Sequence, residues 1–203
     1  MQPMNRRPPE IAFADNRQRL IQAAAEAFME EGYRASIDRI AARAGVARQT
    51  VYNHFSSKEE LFSEVANSAA NTILVSLDGD EGDIRERLLR FATVFRHRVL
   101  GDEGLAMFRA ISAEVPHFPA LGQLFFDKGP GQTAGRLAAY LARAMDEGSL
   151  RRDDPLFAAE LLMGMLCGFE HIRRLFCVSV PETAADATRV ERIVDCFLQI
   201  YSR

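Results

Sequence analysis

The sequence predicts an all-α protein with a three-helix, N-terminal helix-turn-helix domain and a larger C-terminal helical domain. Apolar residues recur at spacings of three and four along most of the chain, which is the period of an amphipathic helix. No segment shows the sustained alternation of β-branched residues that is typical of strands. Residues 36–62 contain two short helical patterns around a glycine, with a third following at once, and this order favours a helix-turn-helix unit.

The length and composition allow a small domain followed by a larger one. The chain has 203 residues, of which 48% are hydrophobic, so a substantial core is expected. We expect residues 1–14 to form a flexible arm, residues 15–62 the helix-turn-helix domain, and residues 78–203 the C-terminal domain. The fourth helix begins in the first domain and continues to about Leu77, so it links the two domains.

Local signals predict the limits of the first four helices. The first helix should begin with Asp15 as its N-cap and end at Gly32. Gly45 lies between the second and third helices, where a tight turn requires a residue that accepts positive φ. Ser57 and Glu60 form an S-x-x-E capping box that should start the fourth helix.

Similar signals divide the C-terminal domain into helices. Asp83 and Glu86 predict another capped helix start. The remaining boundaries follow from glycine and proline: breaks at 101–104 and at Pro116, a kink or restart at 129–131, a start at Asp154 and Pro155, and a last helix over roughly 183–202.

The third helix has an apolar inner face and a polar outer face. The outer side chains are Arg48, Gln49, Thr50, Tyr52, Asn53 and His54. They provide hydrogen-bonding groups that suit base edges and phosphates in a DNA groove. Arg48 is the first candidate for base recognition, because a guanidinium can bridge O6 and N7 of guanine. Gln49 and Thr50 could also reach bases, and Asn53 lies later on the same face.

The segment from about Asp15 to Ala66 resembles the N-terminal DNA-binding domain of TetR-type transcriptional regulators. The resemblance rests on three linked motifs, which are IAARAGVA, TVYNHF and SKEELF in this chain. It implies a double-stranded operator as the DNA partner. Because one short recognition helix cannot give high affinity, two half-sites and hence a homodimer are expected.

The resemblance also implies phosphate-binding roles for Tyr52, His54 and Lys58. Lys58 lies in the first turn of the fourth helix, where free backbone N–H groups also favour an anion. Ser36 caps the second helix and could contact phosphate as well. Packing of Tyr52 against the first helix and a helix-terminal hydrogen bond of His54 are the structural alternatives. Ala47 departs from the family pattern, which often has Ser or Thr there, so one helix cap is missing.

The stretch over 108–168 is similar to the C-terminal domain of the AefR-like branch of this family. Its markers are the patterns E-x-P-x-F-P, F-x-x-G-P and G-x-L-x-x-D-D-P. This similarity implies an all-helical domain that binds a ligand and forms the dimer.

Apolar residues at helical spacing on the last two helices suggest the dimer interface, as in a four-helix bundle across a two-fold axis. The candidates are Leu161, Leu162, Met165, Phe169, Val190, Ile193, Val194, Phe197, Leu198 and Tyr201. The alternative is that these faces pack only within the monomer.

Aromatic and methionine side chains concentrate in the C-terminal domain and could line a pocket for an apolar or aromatic effector. The candidate lining residues are Phe91, Phe95, Met107, Phe108, Ile111, Phe125, Tyr140, Met163 and Cys167. A filled core is the alternative for each of them.

The net charge of −3 does not indicate a nucleic-acid partner, so that prediction depends on the motif. Residues 1–60 contain nine Lys and Arg against eight Asp and Glu. The three cysteines show no C-x-x-C spacing, which suggests reduced, partly buried thiols in a cytoplasmic protein. We expect no metal, no cofactor and no membrane segment, since the longest apolar runs have charges close by.

These observations favour a ligand-responsive transcriptional regulator, in its simplest form a dimeric repressor that a small apolar or aromatic effector releases from a palindromic operator. An activator or a ligand-independent DNA binder is the first alternative. A helical small-molecule carrier or an enzyme is the second, although the sequence shows no nucleophile–base pair, paired carboxylates or phosphate loop.

Overall fold

The computed structural model of the protein describes residues 9–77, 82–178 and 186–202. Within these ranges the chain forms ten α-helices and no strand. Two 3₁₀ turns, Gly32–Arg34 and Val75–Leu77, follow the first and fourth helices. The helices are α1 Pro9–Glu31, α2 Ile37–Ala44, α3 Arg48–His54, α4 Lys58–Leu74, α5 Ile84–Leu100, α6 Asp102–Glu114, α7 Pro119–Lys128, α8 Pro130–Asp146, α9 Pro155–Leu175 and α10 Asp186–Ile200.

Helix α1 begins at Pro9 and not after Asp15, so the predicted start was wrong. Proline is well suited to a first helical position, and no further glycine or proline follows before Gly32. Nothing in the sequence therefore stops the helix upstream of Asp15. Residues 1–8 of the predicted arm lie outside the described residues.

The predicted caps in the first domain are mostly confirmed. Gly45 takes a left-handed conformation with φ 67°, and Ser36 Oγ accepts a hydrogen bond from Arg39 N at 3.2 Å. Ser57 Oγ accepts from Glu60 N at 3.1 Å and so caps α4. The Glu60 carboxylate accepts from Ser56 N instead of completing the capping box.

The caps of the C-terminal domain are confirmed as well. Asp83 and Glu86 form a reciprocal capping box at the start of α5. Asp154 Oδ1 accepts from the first free amide groups of α9. The chain restarts at Pro130 after α7, as its glycine and proline residues predict. The predicted loop over 178–182 and the first residues of the predicted last helix lie largely outside the described residues.

One backbone feature was not predicted. Helix α9 contains a kink at Gly168, whose φ of 48° and ψ of −156° are non-helical. Buried Arg96 lies against this kink: its Nη1 donates to the Leu166 carbonyl at 2.6 Å, and its Nη2 donates to Glu170 at 2.7 Å. The two halves of α9 are therefore held to α5 by a buried, charge-assisted network.

The helices enclose two apolar cores. The first contains buried residues of α1 to α4, and it also includes Ile111 of α6 and Leu121 of α7. The second joins the end of α4 with α5, α8, α9 and α10, and Phe91, Leu137 and Phe197 are fully buried in it. Helices α6 and α7 thus belong to the C-terminal part of the chain but pack on the N-terminal domain.

Helix α9 is long and apolar enough, by length and composition alone, to cross a membrane. Glu160 and Glu170 lie within it, so the charges that we expected close to the longest apolar runs are present. The helix packs against α8 and α5 and buries the Glu170 carboxylate, which fits a helix with one face in a protein core. Its apolarity follows from having one buried apolar face and one exposed apolar face.

Candidate nucleic-acid interface

Helices α2 and α3 form a helix-turn-helix unit around Gly45. The amides of Gly45 and Val46 donate to carbonyls of α2 at 3.1 and 3.0 Å, which fixes the turn. On the inner side of α3, Val51 and the following Phe55 are each 1% exposed in the N-terminal core. These two anchors set the rotation of α3, so its opposite face is turned to solvent.

The predicted reading residues share this outward face. Arg48, Gln49 and Asn53 are exposed, and Tyr52 is 40% exposed, whereas Thr50 is half-buried. Gln49 Nε2 donates to Asn53 Oδ1 at 3.2 Å, one helical turn later. The structure therefore brings together a row of side chains that can donate to base edges and phosphates.

Arg48 is held in place by two neighbours. Its Nη1 donates to both carboxylate oxygens of Asp38, at 2.9 and 3.2 Å, and its guanidinium lies 5.6 Å from the centre of the Tyr52 ring. Hydrogen bonding with Tyr52 and the charge of Asp38 raise the pKa of Arg48. The candidate base-reading cation is thus pre-oriented before DNA arrives.

His54 closes the helix and is half-buried. Burial is the main cause that lowers the pKa of His54 below 6.5, and the nearby charge of Arg17 lowers it further. The imidazole is therefore mainly neutral at pH 7. A phosphate at this position would favour the protonated form and so oppose both effects.

Lys58 does not extend outward in the unbound protein. Its Nζ donates to the Tyr33 carbonyl and lies 4.4 Å from the centre of the Tyr33 ring. Burial lowers the pKa of this half-buried lysine. Contact between Lys58 and a phosphate would require the side chain to leave Tyr33. Ser36, the other candidate outside α3, is exposed and keeps a free hydroxyl proton to donate.

Two residues of this surface were missed in the sequence. Asp38 lies in the first turn of α2, where an acidic residue is already explained by the helix dipole. Tyr33 lies in the turn after α1 and stacks on Phe28 of the core. Neither contact joins residues three or four apart, so helical periodicity gave no signal for them.

The candidate pocket residues divide between the two apolar cores. Phe91, Phe95 and Tyr140 are buried in the C-terminal core, and Met163 and Cys167 pack against it. Ile111 belongs to the N-terminal core, against which Met107 and Phe125 pack. Phe108 is 40% exposed and meets the edge of His171. The split arises because α6 and α7 face the N-terminal domain.

A surface cavity of about 510 Å³ lies elsewhere, between α4 and the α7–α8 turn. Its lining is polar and consists of Glu64, Asn67, Asp127, Lys128, Gly131 and Gln132. None of the candidate pocket residues contributes to it. This cavity therefore does not fit the apolar effector that the composition suggested.

The predicted dimer residues also divide into two groups. Five of them are core residues of the protomer and have almost no exposed surface, as the alternative of packing within the monomer expects: Leu162, Val190, Val194, Phe197 and Tyr201. The other group is half-buried or exposed: Leu161, Met165, Phe169, Ile193 and Leu198. On each helix the apolar pattern covers an inner face as well as an outer one.

The exposed apolar surface is concentrated on α9. Phe157, Phe169, Ile172 and Phe176 are between 49% and 76% exposed. Gly164 lies on the same side and is also exposed, with open space where a Cβ would be. The surface that we call the α9 stripe consists of Phe157, Leu161, Gly164, Met165, Gly168, Phe169, Ile172 and Phe176. Such a surface is unusual on a protein that stays monomeric.

The cysteines are free and do not pair with one another. Cys167 is half-buried, and burial raises the pKa of its thiol. Cys177 and Cys196 are exposed, so the expectation of partly buried thiols was wrong for both. Each lies at or near a helix surface that sequence periodicity alone did not assign to solvent.

Comparisons with known proteins agree with this architecture. Residues 20–65 match the family model of bacterial regulatory proteins of the tetR family, and residues 86–203 match the model of the C-terminal domain of AefR-like transcriptional repressors. A curated relative, the transcriptional activator FasR of Mycolicibacterium smegmatis, is 45% identical over 62 residues. That match covers 30% of this chain and 28% of the length of FasR.

Solved structures match over most of the chain. A TetR-family transcriptional regulator from Mesorhizobium loti is 29% identical, with a TM-score of 0.75, and the match covers 93% of this chain and 98% of the other. The flavonoid-responsive regulator FrrA is also 29% identical, with a TM-score of 0.71 and coverage of 94% and 99%.

Proposed function

The chain belongs to the TetR family of transcriptional regulators, with an AefR-like C-terminal domain, and we propose that it acts in the cytoplasm as a dimeric repressor that a small apolar or aromatic effector releases from a palindromic operator. The observation that carries the DNA-binding part is the outward face of α3. Val51 and Phe55 hold this face away from the core, and Arg48, Gln49 and Asn53 are exposed on it.

Double-stranded DNA is the partner that this surface fits best. A helix of this size enters the major groove, where Arg48 can donate to guanine and Gln49 to adenine. Tyr52 and His54 flank these residues on the outer side of α3, where DNA phosphates would run. The N-terminal end of α4, which Lys58 begins, supplies a further group for a phosphate.

The proposed homodimer uses the α9 stripe. Two half-sites one helical turn apart require two helix-turn-helix domains at a fixed spacing, and a dimer with a two-fold axis provides this spacing. We call the helix-turn-helix domain of each protomer the reading head. The α9 stripe is apolar and exposed in the protomer, and its glycines allow a second helix to approach closely. The half-buried residues Ile193 and Leu198 of α10 adjoin the same bundle.

The proposed effector site lies in the C-terminal core. Phe91, Phe95 and Tyr140 meet Met163 and Cys167 there, on helices α5, α8 and α9. Aromatic and thioether side chains suit an apolar or aromatic molecule, and methionine adapts readily to new shapes. The solved neighbour FrrA is named for its response to flavonoids, so a flavonoid is the first effector class to test.

Two contacts support a route from this core to the reading head. Glu114 of α6 is 8% exposed and pairs with Arg34, at 3.2 Å from its Nε. Phe125 of α7 lies 6.3 Å from Phe62 of α4, ring centre to ring centre. An effector that shifts α6 and α7 would therefore move α1 and α4, and with them α3. By linkage, DNA would lower effector affinity by the same factor.

The first test selects fragments of the source genome with the purified protein and maps the bound sites. We expect a short palindrome near promoters, and Arg48→Ala should weaken binding to it at least tenfold without changing the fold. Binding without any shared sequence, with a steep salt dependence, would contradict the reading surface. Asp195→Asn, which removes an exposed carboxylate far from α3, serves as the control.

The second test adds a flavonoid to the preformed protein–operator complex. Release of the operator is expected, together with protection of the C-terminal core in hydrogen exchange. Glu114→Gln should reduce this release while DNA affinity in the absence of flavonoid stays within a few fold. If the flavonoid leaves operator affinity unchanged, that effector class is rejected.

An activator is the alternative that one comparison favours. FasR is named an activator, and it is 45% identical to this chain over 62 residues. The same contacts to DNA serve both outcomes, so the position of the operator decides. A site that overlaps the promoter supports repression, whereas a site upstream of it, with reduced transcription when the protein is deleted, supports activation.

A further inference from the structure

We propose that Asp38 is a specificity-determining residue of the reading surface, because it holds Arg48 ready for a base and away from phosphates. This inference rests on the proposed operator binding. Asp38 would not contact DNA strongly itself and would act through the arginine. It is thus a positioning residue that makes the protein discriminate between its operator and other DNA.

The scaffold fixes the distance between the two side chains. Asp38 is the second residue of α2, and Arg48 is the first residue of α3. Backbone hydrogen bonds at Gly45 fix the turn between the helices, and the buried Val51 side chain holds α3 against the N-terminal core. The contact of Arg48 Nη1 with both Asp38 oxygens is therefore a consequence of how the two helices are joined.

The pair has little to do with stability. The Arg48 and Asp38 side chains are 59% and 64% exposed, and ion pairs of that exposure contribute little to folding. Arg39 and Arg43 of α2 pair instead with glutamates of α1 and tie those two helices together. The Arg48–Asp38 pair joins only α2 and α3, which the Gly45 turn already holds in place, so it is better explained by what approaches the outer face.

The geometry leaves Arg48 suited to guanine. A guanidinium has five N–H donors in a planar fork, and Asp38 engages those of Nη1. Tyr52 limits the guanidinium from a second side. Nε and Nη2 are not engaged by Asp38, and guanine offers two acceptors, O6 and N7. A long side chain that is already oriented loses less conformational entropy on binding.

The negative charge of Asp38 also changes how Arg48 interacts with random DNA. Phosphate contacts supply nearly all of non-specific DNA binding, and they depend on uncompensated positive charge. The Asp38 carboxylate compensates Arg48 and repels a phosphate that approaches it. Arg48 therefore gains little on random DNA, and it gains its two base contacts only where a guanine is correctly placed. Discrimination follows from both effects.

The test measures operator and random-duplex affinities for Asp38→Asn and Asp38→Ala over a range of salt concentrations. We expect the ratio of operator to random affinity to fall about tenfold. Random DNA should bind more tightly, with a salt slope that is steeper by about one, because Arg48 becomes free to contact a phosphate. Thermal unfolding should stay unchanged, since both side chains are exposed.

Matched variants make the result specific. Asp195→Asn breaks a similar exposed pair, with Arg85 at 2.6 Å, and should leave the ratio unchanged. In an Arg48→Ala background, Asp38→Asn should no longer alter the ratio, because its effect passes through the arginine. Replacement of the half-site guanine should cost the wild type much more than it costs Asp38→Asn.

An unchanged ratio in Asp38→Asn, or an equal effect of Asp38→Asn with and without Arg48, would overturn the proposal. Tighter operator binding with full preference retained would overturn it too. Failure of the proposed function looks different, since the wild type itself would then show no preferred sequence. The two outcomes are separated in the same titration.

Discussion

The outer faces of α3 and α9 differ in kind, although both helices anchor an apolar inner face in a core. Helix α3 presents Arg48, Gln49 and Asn53 to solvent, whereas α9 presents the phenylalanines of the α9 stripe. A polar face is stable in water and stays solvated until a polyanion such as DNA binds to it. An exposed apolar face is costly until another apolar surface covers it. The two faces thus differ in the partner that each can accept.

The ion pairs of the two regions differ in the same sense. Arg48 and Asp38 form an exposed pair, which water and phosphates can exchange at little cost. The Arg96 and Glu170 side chains are 3% and 5% exposed, so their pair cannot be exchanged without disrupting the core. The exposed ion pair of the reading head can therefore exchange its partners, whereas the ion pair of the C-terminal domain is fixed by its burial.

The largest expected effect comes from breaking the buried pair. Arg96→Leu removes the donor to the Leu166 carbonyl and to one oxygen of buried Glu170, whose other oxygen Arg174 still binds, and we expect a loss of about 3–5 kcal/mol in the free energy of unfolding. Urea unfolding measures this loss. Arg48→Leu, at the exposed pair, should cost less than about 1 kcal/mol. Similar losses for both variants would remove the contrast between the two regions.

The next largest effect concerns the α9 stripe. Phe169 is 74% exposed in the protomer, so Phe169→Glu should leave the fold intact but place a charge in the dimer contact. We expect the dimer to weaken about 100-fold, or about 2.7 kcal/mol, in sedimentation equilibrium. Val75→Glu, at a site 68% exposed outside the stripe, is the matched control. Equal sedimentation of both variants would mean that α9 is not the interface.

A third effect sharpens the comparison, because the two regions share α6 and α7. Phe125 packs on the N-terminal core, whereas its neighbour Phe126 is 56% exposed. Phe125→Ala should cost about 1–2 kcal/mol and speed hydrogen exchange in α1 and α4. Phe126→Ala should cost less than about 0.5 kcal/mol. Faster exchange confined to α8 and α9 would contradict a shared core.

A smaller effect tests the turn that fixes α3. Gly45→Ala places a side chain at φ 67°, and we expect a loss of about 1 kcal/mol in the free energy of unfolding and weaker operator binding. Gly135→Ala is the matched variant in α8, where a Cβ would meet open space, and it should stabilise the protein by about 0.5–1 kcal/mol. Equal signs would contradict the assigned backbone conformations.

The smallest effect is on the pH dependence of folding. Because burial and Arg17 lower the pKa of folded His54 below 6.5, the unfolded chain binds the proton at a higher pH. The contribution of His54 to stability is thus fully present above the pKa of the unfolded histidine. It declines as the pH falls from there towards the lower pKa of the folded histidine. His54→Gln should reduce the decline seen in urea unfolding between about pH 7.5 and pH 5.5. An identical decline in both proteins would show that His54 does not titrate with folding.

Interactions between residues close in sequence could be predicted, and those between distant residues could not. The caps at Ser36, Asp83 and Asp154 depend on groups two or three residues away, so the sequence contains them directly. The pairing of Arg48 with Asp38 joins two helices and requires the turn geometry. The sharing of the N-terminal core by α6 and α7 depends on the whole packing arrangement.

The same reasoning explains the outcome for the candidate sites. The outward face of α3 was predictable, because Val51 and Phe55 identify the inner side by periodicity. The pocket and dimer residues were harder, since α9 and α10 are apolar on more than one side. Periodicity shows which residues share a face, but it does not show what covers that face.

The kink in α9 makes the effects of mutations at two positions depend on each other. Gly168 takes a backbone conformation with φ 48° that other residues adopt rarely, and Arg96 supplies the donor that binds the Leu166 carbonyl beside it. A substitution at either position reduces the benefit of keeping the other, although Arg96 also binds Glu170. Positions 96 and 168 should therefore be epistatic: random mutagenesis should recover viable changes at both together more often than their separate costs allow.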